Sequence, residues 1–398
     1  MIPIHIKTLH GCFEFKVQRF MDRTNHQQQE DTYFDLTNQF KEDYVSDRLR
    51  EFSAYYSNRL SYSEVAGLVE RVTGVRQLSD QKIRQVVVNK AVAVGQMIQC
   101  QIEKSVKMER MSFPKIAAEV AIYNRESREI LVFEDAIQVR GQKENREAKQ
   151  NVIKKPMSHD VEQAKTPAIQ TDIVMLEKKN GEFEYLTALI DDHGNDQVSL
   201  PDLLRSRVMQ EYGMEEDPLP IVAITDGAKV IRQHLSSVFG VALVIILDWY
   251  HLGKKVRDLM SMIALTKENK QRYLKFILYR LWQGHVYTVL DYLKNTVEAK
   301  NEEKRIELIV YLEKHKTEII DYNRRKKAGK SIGSGYIEKG CDQTIGHRQK
   351  KKGMSWQRVG SKSLGILKVI ELNNQWQELW FPKEAANDPC PLRLVASL

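Results

Sequence analysis

Asp135 stands in a run that is otherwise almost wholly apolar, Ile130-Leu131-Val132-Phe133-Glu134-Asp135-Ala136-Ile137. A charge inside such a strand is costly unless it is paired or bound to a metal ion. Its neighbour Glu134 projects to the opposite face, so only one of the two faces a site, and alternation leaves open which. Asp226 follows the apolar run Ile221-Val222-Ala223-Ile224-Thr225 and precedes Gly227 and a helix. Functional groups gather at the carboxyl ends of strands in open α/β sheets, although an Asp in this position also caps helices. Asp248 closes the next apolar run and leads through Trp249 and Tyr250 to His251, placing an acid and an imidazole at the same sheet edge. His251 could orient a carboxylate, contact a phosphate or cap a helix. Glu338 comes after Gly333-Ser334-Gly335, in the first turn of a helix whose same side carries Asp342, Ile345 and Gln349.

Several carboxylates on rigid elements are what two-metal phosphoryl transfer requires. The two ions, roughly 3.5–4 Å apart, activate the attacking oxygen and stabilise the leaving one. Hard oxygen ligands suit Mg²⁺, with Mn²⁺ as a substitute. Asp135, Asp226 and Glu338 are therefore the candidate catalytic and metal-binding residues, with two ions per site. Asp248 and His251 are candidates for handling substrate.

The chain of 398 residues carries a net charge of +8, and the excess is gathered in two places. One is Arg324, Arg325, Lys326, Lys327 and Lys330; the other is Arg348, Lys350, Lys351 and Lys352, followed by Trp356. Neutralising phosphates releases counterions, so a polyanion is the natural partner for such clusters. A charge run is also an ordinary solvated face, so charge alone does not decide the matter. An acid followed by bases along one helix does suit a metal site beside a DNA backbone. Apolar residues make up 42%, enough for a buried core, and no run is long enough for a membrane span. The opening MIPIHIKTLHG lacks the long apolar segment of a secretory signal, so a cytoplasmic location is expected, beside the nucleoid when on DNA. Cys12, Cys100, Cys341 and Cys390 lie far apart with no CxxC pair, which predicts isolated reduced thiols.

The elements that must position these residues follow from periodicity. The start alternates through Ile2, Ile4 and Ile6, and residues 26–39 read as a polar linker. Helices are expected over 39–111. Ser61 and Glu64 form a capping box, Val65, Leu68, Val69 and Val72 share a face, Gly74 ends that helix, and Ser79 caps the next. A short helix, a turn and a second capped helix make a helix-turn-helix candidate that presents Gln81, Lys82, Arg84, Gln85 and Asn89 to a DNA groove; a plain helical hairpin fits the same pattern. Beyond Pro114, strands are predicted at 129–139, 168–176, 183–190, 219–225 and 242–247, with an Asn180-Gly181 hairpin turn. Residues 141–160 read as an exposed loop, and helices as 200–212, 228–238 and onward from 250. A meander followed by crossover units implies a mixed sheet with helices on its faces, the element order of an RNase H-like fold. Residues 252–323 are helical throughout, and 336–380 again.

Taken together, Phe133-Glu134-Asp135, Thr225-Asp226-Gly227-Ala228, Leu247-Asp248-Trp249-Tyr250-His251 and Gly333-Ser334-Gly335-Tyr336-Ile337-Glu338 resemble the transposases of bacterial insertion sequences related to the Mutator-like group, and most closely their Kra-type branch. The tail Lys352-Gly353-Met354-Ser355-Trp356, with Leu372, Asn373 and Trp376, extends the resemblance over 129–380. It implies an RNase H-like core whose acidic triad is Asp135, Asp226 and Glu338, with an all-helical insertion after the fifth strand. It also implies that Asp248 and His251 fill an acid-x-x-His motif. Ala136 stands where such relatives usually have Gly, and the cysteine pairs of the Kra-type branch are absent, which speaks against zinc.

The expected organisation is an N-terminal segment 1–38, a helical DNA-binding domain 39–112, a first core part 125–251, an insertion 252–325, C-terminal core helices 331–381 and a tail 382–398. The expected activity is metal-dependent cleavage at transposon ends and strand transfer into target DNA. Lys82, Arg84, Gln85, Arg324, Arg325, Lys326, Lys327, Arg348, Lys350, Lys351, Lys352 and Trp356 are expected on double-stranded DNA, and synapsis of two ends calls for a homodimer or larger. The alternatives are a catalytically silent DNA-bound regulator and an RNase H-like nuclease; the intact set of acids opposes the first, the long insertion the second.

Overall fold

A computed structural model describes residues 2–21, 30–32, 44–107, 112–142, 167–351 and 353–382. The alternating start forms an antiparallel ribbon, Ile2–Thr8 with Gly11–Val17, in which Ile4 and Ile6 are buried. Three helices follow, α1 (Asp47–Ser57), α2 (Tyr62–Thr73) and α3 (Asp80–Lys107). Their ends are where the cap chemistry places them. Ser61 Oγ accepts from the Glu64 N–H at 3.2 Å, while Glu64 accepts from the Ser61 N–H at 2.7 Å. Gly74 takes a left-handed φ of 76° that a side chain would resist, and so stops α2. Ser79 Oγ accepts from the Lys82 N–H at 3.1 Å. Helices therefore begin at 47, and residues 39–43 lie outside the described residues.

The hairpin α2–α3 contributes to two cores. Ile83 of α3 packs with Val65, Val69 and Leu49 in a small core, whereas Ala91, Val94 and Ile98 further along α3 join the main core. At 28 residues, α3 is a shared strut between the two.

The main core is built on a five-stranded sheet: β1 (Ile130–Arg140), β2 (Ala168–Glu177), β3 (Phe183–Thr187), β4 (Ile221–Thr225) and β5 (Val244–Leu247). Its order is β5-β4-β1-β2-β3. β1, β2 and β3 form an antiparallel meander, and β4 and β5 run parallel to β1. The turn between β2 and β3 has Gly181 at φ 82°, as the Asn-Gly pair predicts. The expected strand over 183–190 splits: β3 stops at Thr187, and Leu189–Ile190 turns away to pair with Asp196–Val198.

Register and alternation divide the side chains between two faces. Phe133 pairs with Met175 and Ile224, and Asp135 with Ile173, so these five residues share a first face. Val132, Glu134, Val174 and Ala223 lie on the opposite face. There α4 (Leu200–Tyr212) and α5 (Lys229–Phe239) cover the sheet, with Arg207 beside Glu184 and His234 beside Glu134.

After β5 the chain is helical, as its spacing requires. Helices α6 (Trp249–Ile263), α7 (Lys267–Trp282), α8 (Val286–Asn295) and α9 (Glu302–Lys314) bury Leu252, Val256, Ile277, Leu281, Leu290, Leu308 and Leu312 among themselves. The segment returns to the sheet it left: the Leu247 N–H donates to Glu318 O at 3.0 Å, and Tyr322 Oη donates to Leu247 O at 2.7 Å. Tyr322 opens the short helix α10 (Tyr322–Lys327).

The chain then crosses to the first face. Helix α11 (Gly335–Cys341) continues through a π-helical turn, Asp342–Gly346, and a last turn, His347–Gln349. Helices α12 (Arg358–Leu372) and α13 (Trp376–Trp380) complete the layer. No helix among the described residues is long and apolar enough to cross a membrane.

Candidate active site

Parallel pairing fixes the first two acids relative to each other. Ile224 stands opposite Phe133, so two residues on, where β4 has just ended, Asp226 stands level with Asp135. An even step keeps both on the first face. Asp226 Oδ1 accepts from the Ala228 N–H at 2.8 Å, which holds the carboxylate at the strand end. Asp226 is half-buried and its second oxygen is not used in this turn. The cap and the site placement are thus compatible.

Glu338 reaches the same face on α11. Three rings seat that helix: Tyr336 lies 5.9 Å from Phe133 and stacks on Phe183 at 5.6 Å. Gly340 allows the close approach, since a Cβ there would lie 2.9 Å from Met175 Sδ and 3.1 Å from the Tyr185 ring. The Glu338 side chain is 57% exposed, and its Oε1 lies 3.8 Å from His251 Nε2.

Asp248 is 1% exposed and fully engaged. Oδ1 accepts from the Tyr250 and His251 N–H groups at 2.5 and 3.0 Å, capping α6, and Oδ2 accepts from both the N–H and the hydroxyl of Ser334. Burial would raise its pKa, but His251 and the Ser334 donors outweigh it and hold the carboxyl at about 2. Gly333 is required beside it, because a Cβ would meet the Tyr250 ring at 2.6 Å. Asp248 therefore ties the loop that starts α11 to the end of β5, and so positions Glu338. His251 Nδ1 sits 3.6 Å from Asp248 Oδ2, too far for a hydrogen bond; the contact is one of charge, and Nδ1 has no closer partner among the described residues. The Asp248 carboxylate, with Glu338 and Asp226 beyond it, raises the imidazole's pKa against the effect of its burial.

Asp135 is half-buried at the centre. Burial raises its pKa, and the charges of Asp226 and Glu338 add to that, while the Ala136 N–H at 2.7 Å and His251 oppose it. Asp135 and His251 thus each feel the charges of Asp226 and Glu338. As they stand, no three His, Cys, Asp or Glu side chains among the described residues are drawn close enough to hold a metal ion. The Glu338 side chain is exposed and has rotamers free to change. The donor set itself, three carboxylates on one face, suits a hard divalent cation.

Glu134 settles which acid of β1 faces the site. It is 2% exposed on the opposite face, with Oε1 2.7 Å from His234 Nδ1. Sequence reasoning missed His234, although its spacing with Ile231, Leu235 and Val238 places it on the inner side of α5. It also missed a buried group behind Asp226. His315 presses on Gly227, where a Cβ would lie 2.6 Å from its Cε1. Arg232 joins His315 Nδ1 at 3.0 Å and Glu318 at 2.7 Å. Gly227 has φ 88°, a second reason for glycine there.

The residues expected on DNA separate into two kinds. Arg324, Lys326, Lys327, Lys350, Lys351 and Gln85 are exposed, and Lys82 is half-exposed. Arg325 departs from the expectation: it is 0% exposed, paired with Glu129 and hydrogen-bonded to Ile122 O and Ser331 O. Lys330 is held by the same Glu129 at 3.0 Å. Arg348 is likewise buried, donating to Ser57 O at 2.8 Å. Arg84 donates to Gln357 rather than standing free. Trp356 is buried, its Nε1 donating to Gln349 O at 2.9 Å. Arg325, Arg348 and Trp356 are packing residues, since a cation or indole so enclosed cannot reach DNA without unfolding its surroundings, whereas Arg84 is half-buried. Lys352 lies outside the described residues.

Residues 175–379 match the model of an uncharacterised protein family, UPF0236, and the chain belongs to that family. The matched span holds Asp226, Asp248, His251 and Glu338, and begins after Asp135. No curated protein and no solved structure matches the chain.

Proposed function

We propose that the protein is a DNA transposase that cuts phosphodiester bonds at the ends of its own element with Asp135, Asp226 and Glu338. The observation that carries this reading is the register of β4 on β1. It sets Asp226 level with Asp135 on the face that α11 covers, and α11 brings Glu338. The sheet order and the mixed pairing support an RNase H-like core, with residues 252–325 as its helical insertion.

The chain's own residues divide the work. Asp135 lies on β1 and Asp226 just past the end of β4, near enough for the charge of Asp226 to raise the pKa of Asp135; Glu338 closes the set from a helix held by Asp248 and Ser334. Two Mg²⁺ ions, or Mn²⁺, would supply charge neutralisation of the phosphate and acidification of the attacking hydroxyl when bound. His251, whose pKa the Asp248 carboxylate raises, faces Glu338 and offers Nε2 to a phosphate oxygen. Exposed Lys326, Lys327, Lys350 and Lys351 hold the DNA backbone, and the α2–α3 hairpin, through Lys82 and Gln85, recognises the terminal repeats. Strand transfer joins the freed 3′-hydroxyl to target DNA, and pairing of two ends requires a homodimer or larger assembly. Such a protein works in the cytoplasm, at the nucleoid.

Cleavage of an end-labelled duplex carrying the element's own terminus, in Mg²⁺ and in Mn²⁺, tests the proposal. The expected result is metal-dependent nicking that disappears in Glu338→Gln while binding to the duplex persists. Tight binding without cleavage by the wild type would instead favour the regulator reading.

A further inference from the structure

We infer that the helical insertion supplies a substrate contact of its own: the Tyr311 hydroxyl donates a hydrogen bond to a non-bridging oxygen of the phosphodiester being cut. The inference rests on the proposed reaction and adds to it a residue outside the acidic set. Tyr311 lies on α9, and its ring packs on His315 at 4.8 Å. His315 in turn fills the space over Gly227, next to Asp226. From the other side comes α6, where His251 and Lys255 sit one turn apart, with Lys255 Nζ 6.0 Å from the Tyr311 ring. An ammonium and a phenol therefore lie together here, with His251 one turn along α6 and His315 leading on to Gly227 beside Asp226.

The hydroxyl is suited to donating. Tyr311 is half-buried and has no hydrogen-bond partner among the described residues. Burial, and then the charges of Asp226, Glu318 and Asp248, push its pKa up to about 12, so the proton stays on across the working range. After burial, the charge of Asp226 contributes most, in keeping with the path of contacts from Tyr311 through His315 to Gly227. A phenol there cannot serve as a base, and a carboxylate oxygen that already binds metal is a poor acceptor. A phosphate oxygen entering between them is a good one, because a hydrogen bond to a charged acceptor is the stronger kind. Lys255 is paired with Glu307 at 2.7 Å, which leaves Tyr311 as the uncommitted donor of the pair. Its position on α9 follows from spacing: Leu308 and Leu312 point into the insertion's core, and Tyr311 and His315 follow at three and seven residues on the adjoining stripe.

Tyr311→Phe removes the donor and keeps the ring on His315. In single-turnover cleavage of the labelled end duplex with Mn²⁺, the variant is expected to cut about tenfold or more slowly, the scale set by loss of one preorganised donor. Its dissociation constant for the duplex should stay within about twofold, since one contact among many phosphate contacts is removed. A sulfur in place of the accepting oxygen should slow the wild type and add little in Tyr311→Phe, the coupling expected of two partners in one contact. A purely structural role for Tyr311 would leave the two losses additive. Additive losses, or a variant that cuts at the wild-type rate, overturn the inference while the acids keep their roles. A wild type that binds the duplex and never cuts it overturns the proposed reaction and this contact with it.

Discussion

Glu134 is 2% exposed and answered by His234 at 2.7 Å, whereas Asp135, the next residue of the same strand, looks onto Asp226, Glu338 and a histidine shared with Asp248. On the opposite face of the sheet a buried acid meets a base: Glu134 meets His234, and Glu184 meets Arg207. On the first face three acids gather with a single imidazole among them. Stability alone favours the first arrangement, because a buried charge is tolerable when paired. The second stores like-charge repulsion, which makes sense where a cation is to be bound. The two faces teach that burial of an acid says little about its role until its partner is known.

The comparison can be broken most sharply at Asp226. Asp226→Asn should lower cleavage about a thousandfold or more, the several kcal/mol carried by a metal ligand in the transition state. DNA binding should persist in a filter or gel assay, and retained cleavage would remove Asp226 from the set. On the opposite face, Arg207→Ala should leave cleavage chemistry alone and cost about 3–5 kcal/mol of folding free energy, since Glu184 is left buried without a partner. Urea unfolding measures this, and an unchanged midpoint would mean that Glu184 finds another partner.

Sequence reading reached far into this architecture. The five strands, the Asn180-Gly181 turn, the Ser61–Glu64 box and the helix over 200–212 followed from period and cap chemistry, because each depends on neighbours in the chain. The level placement of Asp226 with Asp135 depends on pairing between strands far apart in sequence, and no local pattern encodes it. The same reason explains why Arg325, Arg348 and Trp356 read as a DNA surface. A cation that pairs with Glu129 across the fold has the same local sequence as one in solvent. His234 was legible from helical spacing, and its partner Glu134 was not.

Smaller effects sharpen the contrast further. Gly340→Ala places a methyl group 2.9 Å from Met175 Sδ, and overpacking of this sort costs about 1–3 kcal/mol. The strain falls on the helix that carries Glu338, so cleavage should drop more than DNA affinity does; equal losses in both would mean general unfolding. The least effect is a pH dependence on the opposite face. Glu134 raises the folded pKa of His234 above its ordinary 6.5. A raised pKa stabilises the fold fully below the unfolded value and ceases to do so as pH climbs through the folded one. Glu134 is itself raised, by burial, and its contribution declines in the same direction, but from its ordinary 4.5 upward, so the part that starts at 6.5 belongs to His234. Stability should therefore decline as pH rises above about 6.5, and His234→Gln should flatten that decline in thermal melts recorded across pH. An unchanged slope in the variant would place the titration elsewhere.

The central claim is that one face of a single strand is for chemistry and the other for structure, and adjacent residues test it. Asp135→Asn and Glu134→Gln should be compared in Mn²⁺-dependent cleavage of the labelled end duplex, each at a temperature where it is folded. The account predicts that Asp135→Asn binds the duplex without cutting it, while Glu134→Gln melts earlier and still cuts. Cleavage that survives in Asp135→Asn and disappears in a folded Glu134→Gln would contradict it.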